Sequence, residues 1–331
     1  MRWFLALLLL ISAGCGGDSD EVVVYTSVDP AYAEPIIDAF EQETGISVRL
    51  VVDTEATKSV GLAERLRAER DRPTCDVWWA NEPFRTIRLA DEDLFTSYTP
   101  ADADAVPETL RDPDALWHST GLRLRVLAIG DGVEGVTKLS DLTRPEIGQR
   151  AVVARPTAGT TGSHVAAIYL VLGDVEADAL FADMHDAGVQ IVAGNSYAAE
   201  AVARGEADFG LTDNDDVFAA QQRLSPDLQQ VILSQGEGEL GTLAMPTVVA
   251  LTRKDRSDEL DANAQKLVDY LVSRQVEDQL IQLGYAAASV RDAGGEEGGV
   301  RLIEVDYRAV AERLPVAIER ATNLLETGRA E

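Results

Sequence analysis

The feature that most constrains this chain is a regular alternation of short apolar segments with longer amphipathic ones. The first part of the chain alternates strand patterns at residues 21–25, 46–52 and 75–80 with helix patterns at 30–44, 58–70 and 82–90. A second series alternates strands at 149–154, 189–192 and 209–212 with helices at 160–172, 197–204 and 217–224. Strands joined through helices by short links predict α/β architecture, with mainly parallel sheets covered by helices on both faces.

Two further apolar segments, at 122–129 and 244–252, flank the second series. We interpret them as paired crossovers between two lobes, and the length of 331 residues agrees with two domains. Lobe 1 is then discontinuous. The predicted division is 22–118 plus 245–331 for lobe 1 and 119–244 for lobe 2. C-terminal helices are predicted at 258–274, 275–283 and 307–326, with a kink at Pro315.

Charge excludes several classes of function. The chain has 57 acidic against 29 basic residues, a formal net charge of −28, so it lacks the basic surface that a nucleic acid or an anionic membrane requires. Hydrophobic residues make up 46% of the chain, which is enough for a packed core. Two Cys and three His provide neither a disulfide framework nor a cysteine zinc site. Most of the acidity is therefore expected to be ordinary surface.

The first fifteen residues indicate export. Arg2 precedes the apolar run 3–11, which is too short to span a bilayer, and Ser12, Ala13 and Gly14 lead to Cys15. This pattern predicts a lipoprotein signal peptide at 1–14, a lipid anchor on Cys15 and a tether at 15–21. An ordinary secretory signal cut nearby is the alternative. Either process places the mature chain in the periplasm or at the cell surface, and the lipoprotein route attaches it to a membrane only through its lipid.

Two short motifs resemble known ligand-binding patterns, but their sequence context excludes that function. Residues 236–241 match the glycine pattern of dinucleotide-binding turns, but a strand rather than a helix is predicted after them. Residues 213–216 begin like a calcium loop and lack its glycine and its closing glutamate. No nucleophile elbow or metal-binding histidine pair is present, so we expect neither enzymatic activity nor a prosthetic group.

Acidic residues follow several predicted strands, at the sheet edge where open parallel sheets bind ligands. Asp29 follows the first strand, Glu82 the third, and Asp215 with Asp216 the last strand of the second lobe, while Glu55 is a secondary candidate. Each of them could instead cap the helix that follows it. If they meet in one cleft, their mutual repulsion calls for a positive ligand.

Small and hydroxyl-bearing residues precede the helix predicted at 160–172. Free N–H groups at that helix start would suit an anion, and Thr160 and Thr161 begin it. A capped helix start is the alternative use of the same residues.

Several segments resemble type 2 periplasmic solute-binding proteins, and among them the ferric-ion-binding branch, also called bacterial transferrins. The resemblance rests on residues 24–27, 39–48, 63–69, 76–77 and 202–210, in that order along the chain. It implies the two-lobed periplasmic-binding-protein type 2 fold, closing by hinge motion around a solute. It also implies delivery of that solute to an inner-membrane ABC permease and its ATPase, by a protein expected to be a monomer.

The resemblance also implies a ligand site, in which this chain departs from the ferric pattern. Asp29 stands at the position of the usual histidine, Asp215 and Asp216 at those of the usual tyrosine pair, and Glu82 is retained. Carboxylates still bind hard cations, so we expect Fe³⁺, or Ca²⁺, Mg²⁺ or Mn²⁺, at these four residues. The anion cradle of the family is matched by the following residues: Ser27, Ala158, Gly159, Thr160, Thr161, Asn195, and Arg123 or Arg125.

Three alternatives to a bound metal stay open from the sequence. The same fold could bind an organic solute with a cationic or phosphate group, with Tyr25, Trp78 and Trp79 lining the cleft. The paired carboxylates could serve a hydrolase. The protein could also present its ligand to a membrane sensor.

Overall fold

The computed structural model describes residues 21–53, 60–237, 239–292 and 300–329. The predicted signal peptide at 1–14, Cys15, the tether up to residue 20 and Glu55 lie outside the described residues. In the described part, no helix is both long enough and apolar enough to cross a membrane.

Helices and strands alternate along the described chain. The α-helices are α1 Pro30–Thr44, α2 Gly61–Ala68, α3 Pro83–Asp91, α4 Pro145–Gly148, α5 Gly159–Leu172, α6 Asp174–Asp186, α7 Asn195–Ala203, α8 Asn214–Arg223, α9 Asp258–Val272, α10 Arg274–Gln282 and α11 Tyr307–Thr327. The β-strands are β1 Val22–Thr26, β2 Val48–Val52, β3 Val77–Ala80, β4 Phe95–Thr96, β5 His118–Ile129, β6 Ala151–Ala154, β7 Gln190–Val192, β8 Phe209–Asp213, β9 Gln229–Val231 and β10 Ala244–Thr252.

The strands form one continuous sheet in the order β2-β1-β3-β10-β5-β8-β6-β7. Three parallel strands stand at each end, β2-β1-β3 and β8-β6-β7, each with helical crossovers. Antiparallel β10 and β5 join the two ends, and β4 and β9 add short antiparallel edges. The α/β prediction and the two connecting strands are therefore confirmed.

All eight predicted strands are present, with ends shifted by a few residues. Helix α6 was not predicted, although its buried residues Ala177, Phe181 and Met184 recur at helical spacing. The loop that contains residues 236 and 241 leads into β10, which agrees with the rejection of a dinucleotide site.

Helix α11 connects the two ends of the sheet. Its first residue, Tyr307, packs against Phe84 of α3 with ring centroids 5.1 Å apart, and its second half packs along α5. A Cβ at Gly162 of α5 would lie 2.6 Å from the Pro156 carbonyl oxygen and 2.8 Å from Ile318 Cδ1, so a glycine is needed where the loop before α5 and helix α11 both approach this turn. Pro315 lies inside a helix that continues to Thr327. The predicted lobe boundary at residue 245 stays a prediction. Helix α11 contacts α3, which precedes this boundary in the part assigned to lobe 1, and also α5, in the part assigned to lobe 2.

A buried ionic network fastens the first parallel unit to the end of β10. Asp76 is fully buried, and its carboxylate accepts hydrogen bonds from the Val23 amide at 3.0 Å, Lys254 Nζ at 2.8 Å and Arg256 Nε at 2.9 Å. The side chain of Arg256 is itself only 2% exposed. The network therefore joins β1, β3 and the residues after β10.

We expect Asp76→Ala to lower the free energy of unfolding by about 3–5 kcal/mol, because it removes the buried countercharge of Arg256 and leaves it only the more exposed Asp261 at 3.4 Å. The measurement is chemical denaturation, with Asp255→Ala as an exposed control of the same charge on the neighbouring loop. Equal midpoints for the two variants would contradict a structural role for the network.

Candidate functional site

Two arginines enter the centre of the molecule from the connecting strand β5. Arg123 and Arg125 are two residues apart, so their side chains leave the strand on one face. Arg125 lies directly opposite Asp213 in the antiparallel pairing of β5 with β8. Both arginines are about 1% exposed. A buried guanidinium requires acidic partners, and the sheet register supplies the first one.

The arginines are neutralised by the aspartates at the end of β8. Arg125 Nη1 lies 2.7 Å from Asp213 Oδ1, and Arg123 Nη1 lies 2.9 Å from Asp215 Oδ2 and 3.4 Å from Asp213 Oδ2. Burial raises the pKa of the Asp213 carboxyl, but the charges of Arg125 and Arg123 outweigh it and hold that pKa below its usual value. The Asp213 carboxylate is therefore ionised and already paired.

The start of helix α5 forms the predicted anion cradle beside these charges. Gly159 has a φ of +52°, and Ala158 before it is extended and offers no side-chain cap to the first N–H groups. Thr160 Oγ1 donates to Asp213 Oδ2 at 2.5 Å and accepts from Asn195 Nδ2 at 2.8 Å, while Thr161 Oγ1 donates to Asn195 Oδ1 at 2.8 Å. Open helix N–H groups with hydroxyl and amide neighbours are suited to an anion.

A narrow pocket opens between the two parallel units at this point. Its cavity volume is only about 10 Å³, the room of about one water molecule, so a larger ligand requires the two parallel units to move apart. Its lining residues are Asn81, Arg123, Ala158, Gly159, Thr160, Gly194, Asn195, Asp213 and Asp216. Ser27 supports this lining from behind, since its hydroxyl donates to Asn81 Oδ1 at 3.0 Å. A larger pocket, with a cavity volume of about 450 Å³, lies between β5, α8 and α10 and contains none of the predicted site residues.

The structure gathers three aspartates where two were predicted. Carboxylate oxygens of Asp213, Asp215 and Asp216 all lie within 4.8 Å of one another, and all three residues are buried. The Asp216 carboxylate accepts from Ser196 Oγ and Thr212 Oγ1, each at 3.0 Å. These oxygens have the chemistry to hold a hard cation, but the pairing with arginine competes for two of the three carboxylates.

Glu82 and Asp29 lie at helix starts. The Glu82 carboxylate caps α3, accepting from the Phe84 amide at 2.8 Å and the Arg85 amide at 3.2 Å, and it also accepts from Ser163 Oγ of α5 at 3.3 Å. Asp29 is half-buried at the start of α1 and makes no side-chain cap. Glu82 therefore caps a helix, which was the alternative that the sequence left open for each acidic candidate.

Tyr32 links Asp29 to the aspartates across the cleft. Its hydroxyl donates to the Asp215 carbonyl oxygen at 3.3 Å. Burial, followed by the charges of Asp215, Asp216 and Asp29, raises the pKa of the Tyr32 phenol. Asp29 therefore shares one electrostatic environment with Asp215 and Asp216.

Some residues of the site were missed from the sequence. Arg125 was only an alternative to Arg123, and Asp213 and Asn81 were not selected. The available signal was the placement of two arginines inside an otherwise apolar predicted strand, where a charge needs a specific partner. The aromatic residues proposed as a cleft lining, Trp78 and Trp79, are instead buried against Thr86 and Thr120.

This sheet order, with paired connecting strands and a polar pocket between two parallel units, defines the class of two-lobed, type 2 periplasmic-binding-protein folds. Residues 21–286 match the model of the family described as bacterial extracellular solute-binding protein, and the chain belongs to that family.

Comparisons with individual proteins give distant relatives. Iron uptake protein A1 of Synechocystis sp. is 25% identical over 281 residues, 81% of this chain and 76% of that protein. The apo ferric ion-binding protein A of Pasteurella haemolytica superimposes with a TM-score of 0.79 at 19% identity, covering 93% of this chain and 98% of the other. AfuA of Actinobacillus pleuropneumoniae, solved with exogenous fructose-6-phosphate bound, gives 0.78 at 18% identity, covering 93% and 99%. At these identities the structural likeness is one of fold.

The buried His164 of α5 predicts a loss of stability in acid. Burial, and then the charge of Arg125, lowers its pKa to about 3. The unfolded chain takes up this proton near pH 6.5 and the folded chain does not, so the contribution is complete above pH 6.5 and declines below it. We expect about 2 kcal/mol to be lost between pH 7 and pH 5.

The test compares unfolding free energies of the wild type and His164→Leu at several pH values. The variant should lose about 2 kcal/mol less stability than the wild type over this range. Parallel curves for the two proteins would show that His164 is not buried in its neutral form.

Proposed function

We propose that this chain is the extracytoplasmic solute receptor of an ABC importer, and that its solute carries a phosphate-like anionic group bound in the narrow pocket. Membership of a solute-binding family supports reversible binding rather than catalysis. The solute would pass to an inner-membrane permease driven by its ATPase. Export and lipid attachment through Cys15 would hold the receptor at the membrane.

The observation that carries the choice of an anion is the state of the buried charges. Two of the three clustered carboxylates, Asp213 and Asp215, have countercharges in Arg125 and Arg123, so part of the repulsion that called for an external cation is relieved within the protein. Arg123 lines the pocket, and its Nε has no acceptor among the described residues. A buried N–H without an acceptor costs free energy, and an anionic oxygen at this position would relieve that cost.

The other donors of the pocket suit the same ligand group. The first turn of α5 presents N–H groups without a side-chain cap, and Asn195 lies beside it. Guanidinium and helix N–H donors bind phosphate well because their charges and geometry match its oxygens. The fructose-6-phosphate bound to AfuA is consistent with this chemistry on the same fold.

A transported hard cation such as Fe³⁺ is the second candidate. The observation in its favour is the cluster of Asp213, Asp215 and Asp216 oxygens within 4.8 Å. The names of the iron uptake and ferric ion-binding relatives support it as well. Binding to all three carboxylates requires Arg123 and Arg125 to move off two of them, and buried charge pairs resist such separation.

A substitution in the anion cradle tests the proposed binding site. Gly159→Ala places a methyl group 3.6 Å from Asn195 Nδ2, at the edge of the pocket. We expect it to weaken binding of fructose-6-phosphate and of inorganic phosphate at least 10-fold in calorimetric titration. Gly132→Ala is the matched control, because Gly132 has a similar φ of +70° and open space around it. Equal affinities for the two variants would exclude the cradle as the binding site.

Metal analysis distinguishes an anionic solute from a metal cation as the ligand. We expect the protein purified without added metal to contain no stoichiometric iron, calcium or manganese by elemental analysis, and Asp216→Asn to keep its phosphate affinity within a few-fold. Asparagine preserves an acceptor for Ser196 or Thr212 but removes a metal-binding charge. One bound metal per chain, lost in Asp216→Asn, would establish the cation and refute the anionic solute.

A further inference from the structure

A second pocket lies behind the cleft, between helices α2, α3 and α11. Its cavity volume is about 250 Å³, and we call it the arginine pocket after Arg67, Arg85 and Arg88 in its lining. The lining also includes Thr157, two residues before Gly159, and Leu314 and Ile318 of α11. The cleft and the arginine pocket therefore adjoin the start of α5 from different sides.

The charge of this lining is opposite to that of the whole protein. Acidic residues outnumber basic ones 57 to 29 in the chain, yet three arginines and one glutamate, Glu64, line this pocket. Arg67 is occupied, because it pairs with Glu64 at 2.5 Å and with Glu92 at 2.7 Å. Arg85 forms an ion pair with Glu82 at 3.4 Å, so Arg88 is the arginine of this lining without an ion pair among the described residues.

These two guanidinium groups have donors to spare. Arg85 is 8% exposed and uses only Nη1, at 3.3 Å from the Gly159 carbonyl oxygen and 3.4 Å from Glu82 Oε1. The half-buried Arg88 guanidinium makes no hydrogen bond or ion pair with any residue that the structure describes. Arginine N–H groups match the oxygens of a carboxylate or phosphate.

The remainder of the lining is apolar. Leu314, Pro315 and Ile318 form the wall that α11 contributes, facing the α2–α3 side. An inorganic anion would leave this wall without contact, whereas an organic body would cover it. Specific sites for small molecules commonly combine an apolar wall with a few fixed polar groups.

We propose that the arginine pocket binds an organic anion, with its phosphate or carboxylate on Arg85 and Arg88 and its apolar body against α11. The site differs from the cleft pocket and does not rest on the ligand proposed there. Its occupant is either a second anionic group of the transported solute or a separate molecule of the same chemistry.

The test is calorimetric titration of the full mature protein with phenyl phosphate, which combines an anion with an apolar ring. Arg88→Gln should weaken phenyl phosphate at least 5-fold and leave fructose-6-phosphate unchanged. Arg72→Gln is the control, since it removes the same charge from an exposed position outside the pocket. Inorganic phosphate should be affected less than phenyl phosphate, because it cannot use the apolar wall.

Wild-type affinity of Arg88→Gln for phenyl phosphate would overturn the proposal. If Gly159→Ala abolished phenyl phosphate binding while Arg88→Gln did not, the probe would occupy the cleft, so this inference would fail and the proposed function would stand. If Arg88→Gln weakened phenyl phosphate while Gly159→Ala left fructose-6-phosphate binding unchanged, the arginine pocket would stand and the cleft proposal would fail. Titration of phenyl phosphate at saturating fructose-6-phosphate then identifies the source. Unchanged phenyl phosphate affinity indicates a separate molecule in the arginine pocket, whereas displacement, together with weaker fructose-6-phosphate binding by Arg88→Gln, indicates one solute that spans both pockets.

Discussion

The buried pairing of Arg123 and Arg125 with Asp213 and Asp215 is the interaction on which the centre of this molecule depends. Burying two guanidinium groups at about 1% exposure would cost too much free energy in a sheet without countercharges. The antiparallel register of β5 with β8 places the carboxylate of Asp213 opposite Arg125. Arg123 also donates to the Asn81 carbonyl oxygen at 2.6 Å, beyond the end of β3. The network thus joins the two parallel units at the point where the cleft opens.

This pairing changes what the acidic residues imply about the ligand. A cluster of carboxylates alone would indicate a cation, because like charges cannot remain ionised together without compensation. Here the compensation is internal, and the low pKa of Asp213 is its consequence. The fold shared with ferric ion-binding protein A therefore does not determine the ligand, since AfuA has the same fold and was solved with a sugar phosphate.

The sequence predicted the fold better than it predicted the site. The strands and their succession along the chain follow from hydrophobic periodicity, which is a local signal. The connecting strands β5 and β10 followed from two apolar segments that flank the second series of strands and helices. The meeting of Asp215, Asp216 and the α5 cradle also followed, because strand ends share one edge. The role of Glu82 as a cap and the partner of Arg125 depend on side-chain direction and strand register, which no single segment specifies.

The position of α5 explains why two pockets of different chemistry adjoin one helix start. On the cleft side, Thr160 and Asn195 surround the first turn together with Asp213 and Arg123. On the other side, Arg85 of α3 donates to the Gly159 carbonyl oxygen and contributes to the arginine pocket. Because Arg85 also lies beside the Glu82 cap of α3, any movement of α3 relative to α5 changes both pockets together. The start of α5 is therefore where binding and the relative position of the two parallel units are physically coupled.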